Sequence, residues 1–143
     1  MKIYKNTFFI LFSLCMMQFA YAENVVVIVN EANNQNISSS DIKAIYSDNI
    51  IQWSDGTPIK VYDLPVKNDA REAFSQNVLG ASARATAKEW ANRKITNTAK
   101  NPPKTKKERL VVASIKKKAN AIGYVNESSV QGKKGIKVIM TIK

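Results

Sequence analysis

Val25-Val26-Val27-Ile28-Val29, closed by Asn30, and Ala121-Ile122-Gly123-Tyr124-Val125 are the stretches whose reading decides the fold. The first is a continuous β-branched run, apolar on both faces, as expected of a strand inside a sheet covered on both sides. The second is an apolar strand with one interruption, Gly123, which removes a side chain where another backbone or a ligand comes close. Close packing and ligand access both account for such a glycine.

Working outward, the segments between these strands alternate in type. Ser38-Ser39-Ser40-Asp41 offers N-cap residues ahead of Ile42, Ala44, Ile45 and Tyr46, which have the spacing of a short helix. Trp53-Ser54-Asp55-Gly56-Thr57-Pro58 is a turn signal. Behind it, Ile59, Val61 and Tyr62 to Leu64 read as a strand stopped by Pro65. Asn68 or Asp69 can cap the next helix, with Ala73, Phe74, Val78 and Leu79 on one side and Gly80 as its stop. Ser82 caps a further helix to about Arg93, with Ala83, Ala87, Trp90 and Ala91 as its expected buried stripe. Residues 97–107 form a lysine-rich loop around Pro102-Pro103. A last helix runs from Glu108 to Lys118, with Leu110, Val111, Ala113, Ser114 and Ile115 expected inward, and a final strand from Ile136 to Ile142. The order β-α-β-α-α-α-β-β predicts an α/β fold with a mixed sheet flanked by helices.

The chemistry available is narrow. The 143 residues contain 22 Lys plus Arg, 11 Asp plus Glu, no His and one Cys. Without His there is no Ser-His-Asp triad, no Cys-His dyad and no His-ligated zinc or haem, and one Cys makes neither an internal disulfide nor a thiolate cage. No pair of acids has the spacing of a glycosidase or metal site; Asp63 and Asp69, on either side of Pro65, come nearest. The expectation is therefore a protein that is not an enzyme, with no metal and no cofactor.

Residues 1–22 read as a secretory signal. Lys2 and Lys5 precede an apolar run from Phe8 to Phe19, and Ala20-Tyr21-Ala22 is an A-x-A cleavage signature. The run is short for a membrane anchor. Leu14 before Cys15 is bulky where a lipobox needs a small residue, so a lipoprotein is not expected. Cleavage after Ala22 leaves a domain over residues 23–143 with a net charge of +9 and no cysteine, periplasmic or secreted.

Taken in order, Ser40-Asp41-Ile42-Lys43-Ala44-Ile45-Tyr46, Trp53 with Asp55-Gly56 and Ile59, Phe74 with Val78-Leu79-Gly80, Trp90, and Ala121 to Val125 form a familiar series. It resembles the phosphate-type ABC-transporter substrate-binding family, of the type II periplasmic-binding-protein-like fold, and especially its short members with a single lobe. The resemblance covers residues 24–140. It implies binding of phosphate or a related small oxyanion through backbone N–H groups and hydroxyls at helix N-termini, where the dipole favours anions.

In that family a Ser-Gly-Thr segment opens the helix after the second strand. The matching residues here are Asn68-Asp69-Ala70-Arg71, so both hydroxyls are gone and Asp69 brings negative charge. Arg71 can compensate as a bidentate donor to an oxyanion. Equally, Asp69 can cap its helix while Arg71 lies in solvent. Ser39 and Ser40 are the second candidate contacts, since three successive serines exceed what one cap needs, although serines before a helix are commonly plain caps. The anion-facing set is thus Ser39, Ser40, Asn68 and Arg71. Trp53 reads as a core plug beside a tight turn rather than as a stacking surface for a ligand.

The resemblance also implies a role beyond simple delivery. A binding protein with two lobes traps its ligand by hinge closure, and one lobe leaves the anion half solvated. The lobe then binds a protein partner, serves as an accessory to phosphate transport, or dimerises to complete a cleft. The alternative class is a basic interaction module. From Arg84 to Lys143 there are 16 basic residues against Glu89, Glu108 and Glu127. Such asymmetry attracts polyanions such as extracellular DNA or acidic polysaccharide, and it also serves ordinary solubility. Lysines outnumber arginines 18 to 4 and aromatics do not interleave with them, which argues against sequence-specific nucleic-acid recognition.

Overall fold

The computed structural model describes residues 22–143. The expected signal segment lies almost entirely outside the described residues. Two largely apolar strands at the centre of the sheet set the layout. β1 (Val25–Asn30) is buried at all six positions. It lies between β4 (Ala121–Asn126) and β5 (Ile136–Ile142), antiparallel to both. β2 (Lys60–Asp63) runs parallel to β4 on its other side, and a two-residue β3 (Lys104–Thr105) runs parallel to β2 at the edge. The order β3-β2-β4-β1-β5 is a mixed sheet, as the alternation of elements predicts.

β3 was not expected: two exposed residues inside a polar loop carry no hydrophobic signature of a strand. The register of β1 against β5 shifts between Val27 and Ile28, so Ile139 is skipped in the pairing.

Helices cover both faces. α4 (Glu108–Lys117) packs over β4, and a Cβ placed on Gly123 would lie 2.6 Å from Val111 Cγ1 and 3.5 Å from Ile115 Cδ1. Gly123 therefore serves close helix–sheet packing, one of its two sequence readings. The next residue, Tyr124, points to the opposite face, where α1 (Ser39–Tyr46) and α2 (Asp69–Phe74) pack. There its ring stacks on Phe74 with centroids 3.9 Å apart, and Tyr46 meets Phe74 edge-on at 4.7 Å. α2 continues through a π-helical turn (Ser75–Leu79) to Gly80, whose φ of +74° makes the left-handed stop. Trp53 is buried in the core, and its indole Nε1 donates to the Asn120 carbonyl at 3.0 Å.

Two inward faces differ from expectation. In α3 (Ala83–Ile95) only Ala83 is buried; Ala87 and Trp90 are half-buried, and Ala91 is exposed. The stripe of Ala83, Ala87, Trp90 and Ala91 is mostly alanine, too little apolar surface to hold the helix in the core. In α4 the inward positions are Val111, Val112, Ser114 and Ile115, while Leu110 is exposed at 45%. The helix is rotated slightly from the expected face because Val112, not Leu110, meets the sheet side.

Candidate functional site

The site is built where β2 ends. The Asp63 carboxylate accepts hydrogen bonds from the Leu64 N–H and from the Tyr124 hydroxyl. Facing it from the first turn of α2 is Arg71, whose Nη2 lies 3.3 Å from Asp63 Oδ2 and whose Nη1 donates to the Leu64 carbonyl at 2.7 Å. Arg71 is 4% exposed. Its Nε is the single buried side-chain nitrogen or oxygen among the described residues with no hydrogen-bond partner. A guanidinium has five N–H donors in a fixed fork, and here one of them is left unpaired.

Burial raises the Asp63 carboxyl above its ordinary value, an effect that the Arg71 charge, the Tyr124 hydroxyl and the Leu64 N–H offset only in part. The same burial, with Asp63 as neighbour, drives the phenols of Tyr124 and Tyr46 far above theirs. All three groups are thus held away from solvent.

Asp63 and Arg71 border an open pocket of about 220 Å³. Lys94 and Thr105 add an ammonium and a hydroxyl to its lining. Thr105 is fixed there because it pairs in register with Asp63 across β2 and β3. The remaining wall is apolar: Val66, Ala87, Trp90, Ala91 and Pro103.

Of the four residues singled out by sequence, the structure brings Asn68 and Arg71 together and leaves Ser39 and Ser40 elsewhere. Asn68 is the N-cap of α2: its Oδ1 accepts from the amides of Ala70 (2.8 Å) and Arg71 (3.3 Å). Those two N–H groups are therefore already satisfied. Arg71 does not lie in solvent. Ser39 and Ser40 are exposed and line a different pocket, with Lys43 and Lys143 among its other residues. The cap of α1 is Ser38, in a reciprocal capping box with Asp41, and the Ser40 hydroxyl lies 2.9 Å from that of Ser38.

Sequence reasoning overlooked Lys94 and Thr105, and it placed Trp90 in the core. The usable signal for Lys94 was its helical phase: residues 87, 90, 91 and 94 fall on one face of α3. Asp63 and Asp69 do not converge, since Asp63 turns to Arg71 and Asp69 is exposed.

A mixed sheet flanked by helices, with a polar site at one strand's C-terminal end, makes an α/β lobe. The chain belongs to the PBP superfamily domain family, whose model matches residues 17–139. No curated protein matches it. Among solved structures it is similar to an ABC-type phosphate transport receptor from Vibrio cholerae, with 17% identity and a TM-score of 0.61 over 82% of this chain and 46% of that one. It is also similar to a protein from Clostridium perfringens described as a phosphate ABC transporter substrate-binding protein with bound phosphate. There the identity is 19% and the TM-score 0.62, over 82% of this chain and 44% of that one. The chain thus spans less than half the length of either relative.

Proposed function

We propose that this chain is an exported solute-binding lobe for a small oxyanion, phosphate foremost, and that it acts as an accessory to transport rather than as an enzyme. The observation that carries the reading is Arg71: a buried guanidinium with an unused Nε–H, bordering a pocket that also holds Lys94 and Thr105. The resemblance of the fold to phosphate-binding proteins supports the choice of ligand.

In this reading Arg71 is the principal donor and Asn68 holds the turn that presents it. Lys94 supplies the net positive charge, since Asp63 offsets that of Arg71. Ser39 and Ser40, with Lys43, form a second contact surface. A protein partner supplies the wall on the pocket's open side, raising affinity by excluding water.

Calorimetry with phosphate and sulfate tests the reading. One saturable site is expected, weakened by about tenfold in Lys94→Ala, the loss of one charge-assisted hydrogen bond. Lys94 is exposed, so this variant keeps the fold. Millimolar phosphate that gives neither heat nor a rise in thermal stability refutes the reading.

A further inference from the structure

Most of the polar side of the Arg71 pocket and most of its apolar side come from different elements, with Lys94 the polar member that α3 contributes. Asp63, Arg71 and Thr105 belong to the sheet edge and the first turn of α2, and they are joined by the ion pair and the strand register. Ala87, Trp90 and Ala91 come from one face of α3. Val66 and Pro103, from the flanking loops, extend that apolar wall.

Trp90 is the unusual member. It is half-buried and lies outside the core cluster, so packing of the protein interior does not account for a large aromatic there. Its ring carries the Arg93 guanidinium 5.4 Å from its centroid, which braces the side chain.

A bare tetrahedral anion suits such a pocket poorly. Each of its oxygens needs a donor, and five of the nine lining side chains have none to give. Oxygens turned toward Val66, Ala91 or Pro103 lose water without replacement. The cavity, about 220 Å³, also holds the volume of roughly seven liquid waters, more than one small ion fills.

We propose that the preferred ligand is an organic oxyanion: a phosphonate or phosphate monoester whose charged head meets Arg71, Thr105 and Lys94 while a compact apolar substituent lies against Trp90. This rests on the oxyanion reading above and narrows its substrate class. The head meets the Arg71 guanidinium, and the substituent buries the surface that inorganic phosphate would leave in water.

The test titrates the chain with inorganic phosphate and with phenylphosphonate, in which a phenyl group replaces one phosphate oxygen. Wild type is expected to prefer phenylphosphonate by about tenfold or more. Trp90→Ala should collapse that ratio toward one. Ala91→Glu, at an exposed helix position that tolerates change, should do the same by adding a carboxylate to the apolar wall. Phosphate binding as tightly as phenylphosphonate, or a ratio untouched by both variants, overturns the organic-ligand proposal while leaving the oxyanion reading in place. If neither anion binds, the oxyanion reading itself falls, and this proposal with it.

Discussion

Arg71 and Asp63, eight residues apart, meet inside the protein at 3.3 Å with side-chain exposures of 5% and 11%. A buried pair of this kind stabilises little in net terms, but it is costly to break from one side. Arg71→Met should leave the Asp63 carboxylate buried without its cation, at a cost of about 3–5 kcal/mol near neutral pH. Urea denaturation at pH 7 and pH 4 would measure this. The loss should shrink at the lower pH, where Asp63 takes up a proton, and an equal loss at both would show that the pair is not the cause.

The pH dependence of the wild type has a definite sign. Folding raises the Asp63 carboxyl above its ordinary 3.8, so the folded chain holds that proton more tightly than the unfolded one. Its contribution to stability is therefore fully present below 3.8 and is lost as pH rises through the folded value. Asp63→Asn lacks this titration. Wild-type stability measured against that of the variant should fall between pH 3.5 and pH 7, and parallel curves would contradict the assignment.

Gly123 is held to its size by α4. In Gly123→Ala the new methyl meets Val111 at 2.6 Å and forces a shift, with an expected destabilisation of about 1–3 kcal/mol. Val111→Ala in the same chain should recover part of that loss. Strict additivity of the two substitutions would place the clash elsewhere.

Asp48 anchors the segment that follows α3. It is buried with φ at +67°, accepts from the amides of Lys100 and Asn101 at 2.7 Å each, and lies 3.7 Å from Arg93. Asp48→Ala removes these acceptors, at about 1.5–3 kcal/mol for each charge-assisted bond. Hydrogen exchange should show amide protection lost at Lys100 and Asn101 while β1 and β4 keep theirs.

The two roles open to the serines ahead of α1 can be separated. Ser38→Ala should cost about 1 kcal/mol, as loss of an N-cap does. Ser39→Ala should leave thermal stability nearly unchanged, because Ser38 is the residue that caps the helix. An anion effect confined to Ser39→Ala would support a ligand role at that pocket.

Local chemistry made much of this legible in advance. The β-branched run of β1, the capping signals at Ser38, Asn68 and Ser82, and the stop at Gly80 act within a few residues, so their outcome can be read along the chain. The strand β3 could not be read so, because two exposed residues join the sheet only through what lies beside them. α3 was misjudged for a related reason: apolar residues at helical spacing form a buried stripe only if a neighbouring surface covers them.

The amino-acid order by itself determined the longer strands and the helices, the absence of histidine chemistry, and the excess of positive charge. Folding alone decided that β4 enters between β1 and β2, that Arg71 turns inward to Asp63, and that Thr105, Trp90 and Lys94 border one pocket with them. The physical reason is range. Backbone propensity and capping are settled between near neighbours, whereas pairing, desolvation and pocket shape depend on residues as far apart as Asp63 and Tyr124, which the sequence separates and the sheet joins.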